Sequence, residues 1–227
     1  MSKTKIRLIA LTAVLTILIF AYFRNFLPNP SYPKQRICSE RSEIGHLLEQ
    51  YQYEIGAEIG VKQGEYAEVI LKEWKNCKKY YLIDLWQHQE NYLDGANVNN
   101  SRHQQFMNSA IDRLSPWRSK TVFVRARSDT ASLSIADGSL DFVYIDARHD
   151  FCSVSLDMQL YWPKVRVGGV LAGHDYYEWY EQHRHWSTCE DGSRQKGGVE
   201  RAVQAFSRKH NLTLFYCGDS WLFRKLE

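Results

Sequence analysis

From about residue 40 onward, short apolar runs of strand character alternate with stretches of helical spacing, and this alternation predicts a parallel sheet covered by helices on both faces. The pattern gives helices over 42–52, 64–75, 102–114, 151–161 and 197–209, with a short one near 130–135. Strands are predicted over 54–59, 79–84, 121–126, 141–146, 168–173, 211–216 and 220–225. The last two are joined by the turn-forming Cys217-Gly218-Asp219-Ser220, so they predict an antiparallel hairpin at the end of an otherwise parallel sheet. No internal repeat or low-complexity run interrupts the series.

The segment Leu8 to Phe23 departs from this pattern, because its sixteen residues carry no charge. As a helix it covers about 24 Å, and Ile6, a snorkelling Arg7 and an interfacial Tyr22 extend it toward a hydrocarbon core of about 30 Å. No small-x-small cleavage site follows the run, where Ala21-Tyr22-Phe23-Arg24-Asn25-Phe26 stands instead, which favours an uncleaved anchor over a signal peptide. Lys3, Lys5 and Arg7 precede the span and only Arg24 follows closely, so the charge bias places the N-terminus in the cytoplasm and the rest in a lumen or outside. Asn99-Asn100-Ser101 and Asn211-Leu212-Thr213 fit the glycosylation acceptor pattern that such a location permits. The expected organisation is a cytoplasmic N-terminus over 1–6, an anchor over 7–23, a stalk with Pro28, Pro30 and Pro33 over 24–40, and one domain over 41–227.

Composition narrows the field. Hydrophobic residues at 44% and charged residues at 24% exclude disorder and coiled coil. Twenty-nine Lys and Arg against 26 Asp and Glu leave a dispersed +3, too weak for a phosphate-tracking surface, so nucleic acid is not the expected partner. Five widely spaced cysteines without C-x-x-C predict isolated buried thiols rather than a zinc ribbon or a disulfide framework. Nothing in the sequence indicates an oligomeric state.

The candidate chemistry lies where predicted strands end. Glu58-Ile59-Gly60-Val61-Lys62-Gln63-Gly64 links the first strand to its helix, where glycines permit close backbone approach and a helix start offers unpaired N–H groups. A tight turn is the competing reading. The G-x-x-x-G spacing differs from the G-x-G-x-x-G of a dinucleotide site, which disfavours a nicotinamide-dependent oxidoreductase. Asp84 ends the second strand, where a carboxylate accepts from ribose hydroxyls or caps a helix. Asp146, His149, His174 and Asp175 follow the fourth and fifth strands and are expected above one sheet edge. There the histidines are candidate bases or structural hydrogen-bonding residues, and Asp146 with Asp175 is a candidate pair for a hard divalent ion. The aromatic stretch Tyr176 to Gly192 reads as a loop over a substrate. His183, His185 and Cys189 offer a loosely spaced zinc alternative.

The segments E-I-G-V-K-Q-G-E-Y, Y-L-I-D-L-W, R-A-R-S-D, D-G-S-L-D-F-V-Y-I-D-A-R-H-D and W-P-K-V-R-V-G-G-V-L-A-G-H-D-Y-Y, taken in order, resemble the class I S-adenosylmethionine-dependent methyltransferases. They are most similar to the small-molecule methyltransferase-like family in which I-D-x-x-H precedes G-G-x-x-x-G-H-D-Y. The resemblance covers roughly residues 54–225. It implies a Rossmann-like, doubly wound, mostly parallel seven-stranded α/β sheet with a reversed last strand. It also implies that Glu58, Gly60 and Gly64 frame the methionine moiety of S-adenosylmethionine, that Asp84 holds the ribose, and that Ser128 and Asp129 border the adenine. A helix N-cap is the competing reading for Ser128 and Asp129. The expected activity is methyl transfer to a small-molecule or glycan-like acceptor, with oxygen as the expected site of attack. A catalytically silent, membrane-anchored binding or scaffold protein with the same fold is the alternative.

Overall fold

The computed structural model describes residues 34–176 and 186–227. The predicted anchor over 7–23 and the stalk up to residue 33 lie outside them. Among the described residues no helix is long and apolar enough to cross a membrane.

The order of elements is β1 (Lys34–Cys38), a 3-10 turn (Arg41–Glu43), α1 (Ile44–Gln50), β2 (Ile55–Ile59), α2 (Glu65–Glu73), β3 (Lys79–Asp84), α3 (Asn100–Arg113) and β4 (Thr121–Arg125). There follow α4 (Ser128–Ser132), β5 (Leu140–Ile145), α5 (Phe151–Tyr161), β6 (Val165–Gly173), β7 (Trp186–Thr188), β8 (Arg194–Lys196), α6 (Val199–His210), β9 (Leu214–Cys217) and β10 (Ser220–Arg224). The main sheet has eight strands in the order β1-β9-β10-β6-β5-β2-β3-β4. Only β10 is reversed, antiparallel to both β9 and β6, so the expected terminal hairpin is present. The order changes direction between β2 and β5, which opens a crevice at the carboxyl ends of those strands.

Strand alternation explains why both faces are covered. On β5, Phe142 and Tyr144 face a core that also holds Trp74 and Tyr80, while Val143 and Ile145 face the opposite core with Met158 and Phe206. Trp74 shows how closely the first core packs. Its indole Nε1 donates to the Tyr53 carbonyl at 2.6 Å, and a Cβ on Gly56 would lie 2.9 Å from its ring. Helix starts follow local chemistry, since Asn99 caps α3 by accepting from Arg102 N and Asp150 caps α5 by accepting from Ser153 N, both at 2.9 Å.

The structure corrects the expectation in two places. The sheet has eight strands, not seven, because residues 34–38, read from sequence as the end of the stalk, form β1 alongside β9. KQRIC has no apolar alternation, and four of its five residues are exposed on the sheet edge, so the period-2 signal that marks a half-buried strand is missing. The cysteines are the second correction. Cys38 pairs with Cys217 at a Cα separation of 4.6 Å, and Cys152 with Cys189 at 5.7 Å. Only Cys77 remains a buried thiol, its pKa pushed up to about 12 chiefly by burial. The paired residues lie 179 and 37 positions apart, so the fold rather than local spacing brings them together. Cys189 is therefore not a zinc thiolate, and His183 and His185 lie outside the described residues.

Unfolding under non-reducing conditions should expose one titratable thiol per chain, Cys77, and reduction should raise the count to five. Loss of each disulfide should lower stability by about 2–4 kcal/mol in urea titrations. Five thiols without reductant would show that neither bridge forms.

Candidate active site

The crevice between β2 and β5 contains a cavity of about 420 Å³. Of the residues singled out from the sequence, Glu58, Gly60, Asp84, Ser128, Asp146, His149, His174 and Asp175 line it, whereas Gly64 and Asp129 do not.

The floor is set by the turn after β2. Gly60 has φ +92°, and a Cβ there would lie 2.1 Å from the Asp146 carbonyl oxygen, so only glycine permits this approach to the end of β5. Gly64, at φ +73°, instead opens α2, with space for a Cβ limited by Leu114 at 3.0 Å. Gly64 thus makes the tight turn at the helix start and stands outside the cavity lining. Asp84 ties the same turn to β3, because Oδ2 accepts from Val61 N at 2.9 Å and Lys62 N at 2.8 Å while Oδ1 accepts from Trp86 N at 2.7 Å. Glu58 projects from β2 into the first core, almost wholly buried, and accepts from the Tyr80 hydroxyl at 2.9 Å. Burial, reinforced by the charges of Asp146 and Asp84, pushes its pKa up to about 8.

At the opposite end, Ser128 begins α4, and its carbonyl accepts from the Tyr161 hydroxyl at 2.9 Å. Beneath it Asp157 of α5 is buried and pushed up to about 7, chiefly by desolvation. Asp129 lies in the first turn of α4, pairs with Arg127 at 3.2 Å and accepts from Thr130 N at 2.6 Å, whereas the N-cap position is held by Arg127 without a side-chain cap bond.

The four residues after β5 and β6 converge. His149 Nε2 lies 3.4 Å from both Asp146 Oδ1 and Asp175 Oδ2, and Nδ1 lies 3.6 Å from Asp94 Oδ2. His174 Nδ1 is 2.9 Å from Asp175 Oδ1 and 3.7 Å from Asp146 Oδ1. Asp175 holds φ +59°, a left-handed conformation that a non-glycine residue rarely adopts and that commonly marks a functional site. Burial opposes a charge on His149. The hydrogen bonds to Asp146 and Asp94 and the field of Asp175 overcome it and push the pKa up to about 10, while Asp94 is held down at about 2, chiefly by its bond from His149. Held in this way, His149 is an imidazolium at neutral pH and offers no lone pair for a proton. The ligand atoms of Asp146, His149 and Asp175 all lie within 4.8 Å of one another, a donor set suited to a divalent cation.

Sequence reasoning missed Arg41, Asp94, Arg148, Asp157 and Glu190, all of which line the cavity. Arg148 is buried. It pairs with Asp150 at 2.9 Å and donates to the carbonyls of Glu90 and Asn91 at 3.0 Å, which draws the loop after β3 against the loop after β5. Glu190, in the β7–β8 hairpin, accepts from Arg127 at 2.7 Å and so ties the hairpin to the segment before Ser128. Arg148 and Asp157 carried a usable signal, being charged residues within otherwise apolar or site-bearing segments. Arg41 and Asp94 carried none, and Glu190 lies in the stretch from Tyr176 to Gly192 read as a loop over the substrate but was not singled out there.

The profile of a family described as "Methyltransferase domain" matches residues 57–176, more than half of the chain. A comparison with curated proteins finds no match. Among solved structures, cofactor-bound Rv0187 from MTB gives a TM-score of 0.59 at 16% identity, over 94% of this chain and 89% of that one. A Staphylococcus aureus protein named as a candidate caffeoyl-CoA O-methyltransferase gives 0.55 at 13% identity, over 98% of both chains. A Klebsiella pneumoniae protein named as a candidate O-methyltransferase gives 0.55 at 14% identity, over 88% and 84%. At these identities the likeness is one of fold. Sheet order, crevice and family match together define a class I methyltransferase. The chain belongs to the methyltransferase domain family and is an S-adenosylmethionine-dependent methyltransferase.

The cleft suits that cofactor chemically. S-adenosylmethionine carries a sulfonium and an ammonium against one carboxylate, and the cavity is lined by Glu58, Asp84, Asp94, Asp146, Asp157, Asp175 and Glu190. Because Glu58 binds its proton more tightly folded than unfolded, its contribution to stability should fall as pH rises from about 4.5 to about 8. Glu58→Gln should flatten that limb in urea titrations, stabilise the ligand-free chain above pH 8, and weaken S-adenosylhomocysteine binding. An unchanged pH slope would show that Glu58 does not titrate in this range.

Proposed function

We propose that this methyltransferase acts on a hydroxyl of a small-molecule or glycan-like acceptor with the help of a divalent cation held by Asp146 and Asp175. The observation that carries this reading is the convergence of Asp146, His149 and Asp175 on one point beside the glycine turn. When bound, S-adenosylmethionine supplies an electrophilic methyl group, so the chain must align the acceptor, exclude water and keep the attacking oxygen deprotonated. His149, charged and surrounded by three carboxylates, is a poor base in the ligand-free site. A cation between Asp146 and Asp175 would lower the acceptor's pKa instead, and His149 must shed its proton to join as a third ligand. Two carboxylates and an imidazole favour a transition metal over magnesium. His174, braced on Asp175, borders the same point and is placed to orient the acceptor.

Removing the cation with a chelator should abolish turnover on an acceptor found by screening. Asp146→Asn and Asp175→Asn should do the same while leaving S-adenosylhomocysteine affinity within about threefold. Full activity after exhaustive chelation, together with a loss of about 10²–10⁴-fold in His149→Ala, would assign base catalysis to His149 and remove the metal.

We further propose that the segment 7–23 anchors the chain and that the domain faces a lumen or the exterior. The two disulfides support this location, since such bridges persist in oxidising compartments. Leu15→Arg with Leu18→Arg should release the chain from membranes, because each charge at a helix centre costs about 2.5–3.5 kcal/mol on insertion scales. Carbonate-resistant association of the double variant would refute the single span.

A further inference from the structure

The cleft is lined by more carboxyl groups than cations, and S-adenosylmethionine brings a further carboxylate into it, which needs a cationic partner. Of the four Lys and Arg residues that line the cavity, two are held by carboxylates or backbone carbonyls and a third lies toward α3. Arg127 is bound by Glu190 and Asp129, and Arg148 by Asp150 and two backbone carbonyls. Lys62 Nζ lies 5.8 Å over the Phe106 ring, on the α3 side. Arg41 differs. Its guanidinium stacks over the Tyr66 ring at 4.7 Å and reaches Asp146 Oδ2 only through one 3.4 Å contact. These contacts leave donors to spare among its five N–H groups, presented as a fork suited to a carboxylate.

The backbone around Arg41 is fixed. Cys38, three residues before it, is bonded to Cys217, and the backbone N–H groups of Ser39 and Glu40 both donate to Glu43 Oε1, at 2.9 and 3.0 Å. The turn at Gly218 packs against the same segment, where a Cβ would lie 3.2 Å from the Ser39 carbonyl oxygen. The Tyr66 hydroxyl reaches the Arg41 carbonyl at 3.5 Å. An edge strand that adds little core thus holds one cation at the mouth of the cleft.

We infer that Arg41 is the positioning residue that binds the amino-acid carboxylate of S-adenosylmethionine, delivered to the cleft by β1 and the Cys38–Cys217 bridge. This rests on that cofactor occupying the cleft as read above. Arg41 holds the amino-acid end and thereby aims the rest of the molecule toward Asp146 and Asp175.

The test is calorimetric titration of the detergent-solubilised full chain and its R41M and R41K variants with two ligands. S-adenosylhomocysteine carries the carboxylate, while 5′-methylthioadenosine keeps the purine, ribose and thioether but lacks the amino acid. R41M should lose about 10–100-fold in affinity for S-adenosylhomocysteine and less than about twofold for methylthioadenosine, with R41K intermediate. Retained methylthioadenosine binding also shows that the variant is folded. Unchanged S-adenosylhomocysteine affinity in R41M would overturn the assignment and leave Arg41 to an anionic acceptor, and equal loss of both ligands would overturn it as a general structural effect. A parent chain that binds neither ligand would defeat the cofactor reading itself, an outcome separate from both.

Discussion

The seam between β2 and β5 is the constraint on which the rest of the site depends. Gly60 N donates to the Ile83 carbonyl at 2.8 Å and Asp146 N to the Ile59 carbonyl at 2.7 Å, so the three central strands continue pairing up to the point where their chains diverge. At that point the Gly60 backbone lies so close to the Asp146 carbonyl that no side chain fits between them. The turn after β2 must therefore bend away toward Asp84, whose carboxylate gathers its N–H groups, while the segment after β5 bends toward His149. A crevice opens because the sheet cannot close over this seam. The carboxylates placed on its two sides are there because both strands end there.

Burial and those carboxylates together make the cleft electrostatically costly. Glu58 and Asp157 respond by holding protons well above the usual carboxylate range, and His149 by keeping one into alkaline pH. Burial is the largest influence on all three: it raises the two carboxyl groups and opposes the charge on His149, which the neighbouring carboxylates sustain against it. A cationic cofactor is the kind of ligand that relieves such a site. The same field would repel the one anionic group of the cofactor unless a guanidinium met it, which gives Arg41 its importance.

Much of this was legible in the sequence because it follows from periodicity and strand ends. The bounds of β3 and α5 coincide with the predicted 79–84 and 151–161, where a short apolar run and a longer helical stretch are each sharply bounded. Residues at strand ends, from Glu58 to Asp175, were found because an open parallel sheet leaves them no other place to gather. The strand predicted from 211 begins at Leu214 instead, since Asn211 adopts φ +51° as the α6 cap and Leu212 N bonds back to the Ser207 carbonyl. What escaped has no periodic signal. β1 is polar on an edge, Asp94 belongs to an irregular loop, and Glu190 reaches the cleft only because a disulfide carries its hairpin there.

The elements missed by pattern are also the ones that burial alone cannot hold. β1 exposes four of five residues, and β7 and β8 have three residues each. Neither contributes enough apolar surface to fix its position, and each is tied to the core by a covalent bridge instead. Each also delivers a charged side chain to the cleft, Arg41 from the segment after β1 and Glu190 from the β7–β8 hairpin. Disulfide chemistry here does more than harden the surface. It brings to the site two charges that the hydrophobic core cannot place, so the integrity of the cleft is coupled to the redox state of the compartment in which the chain folds.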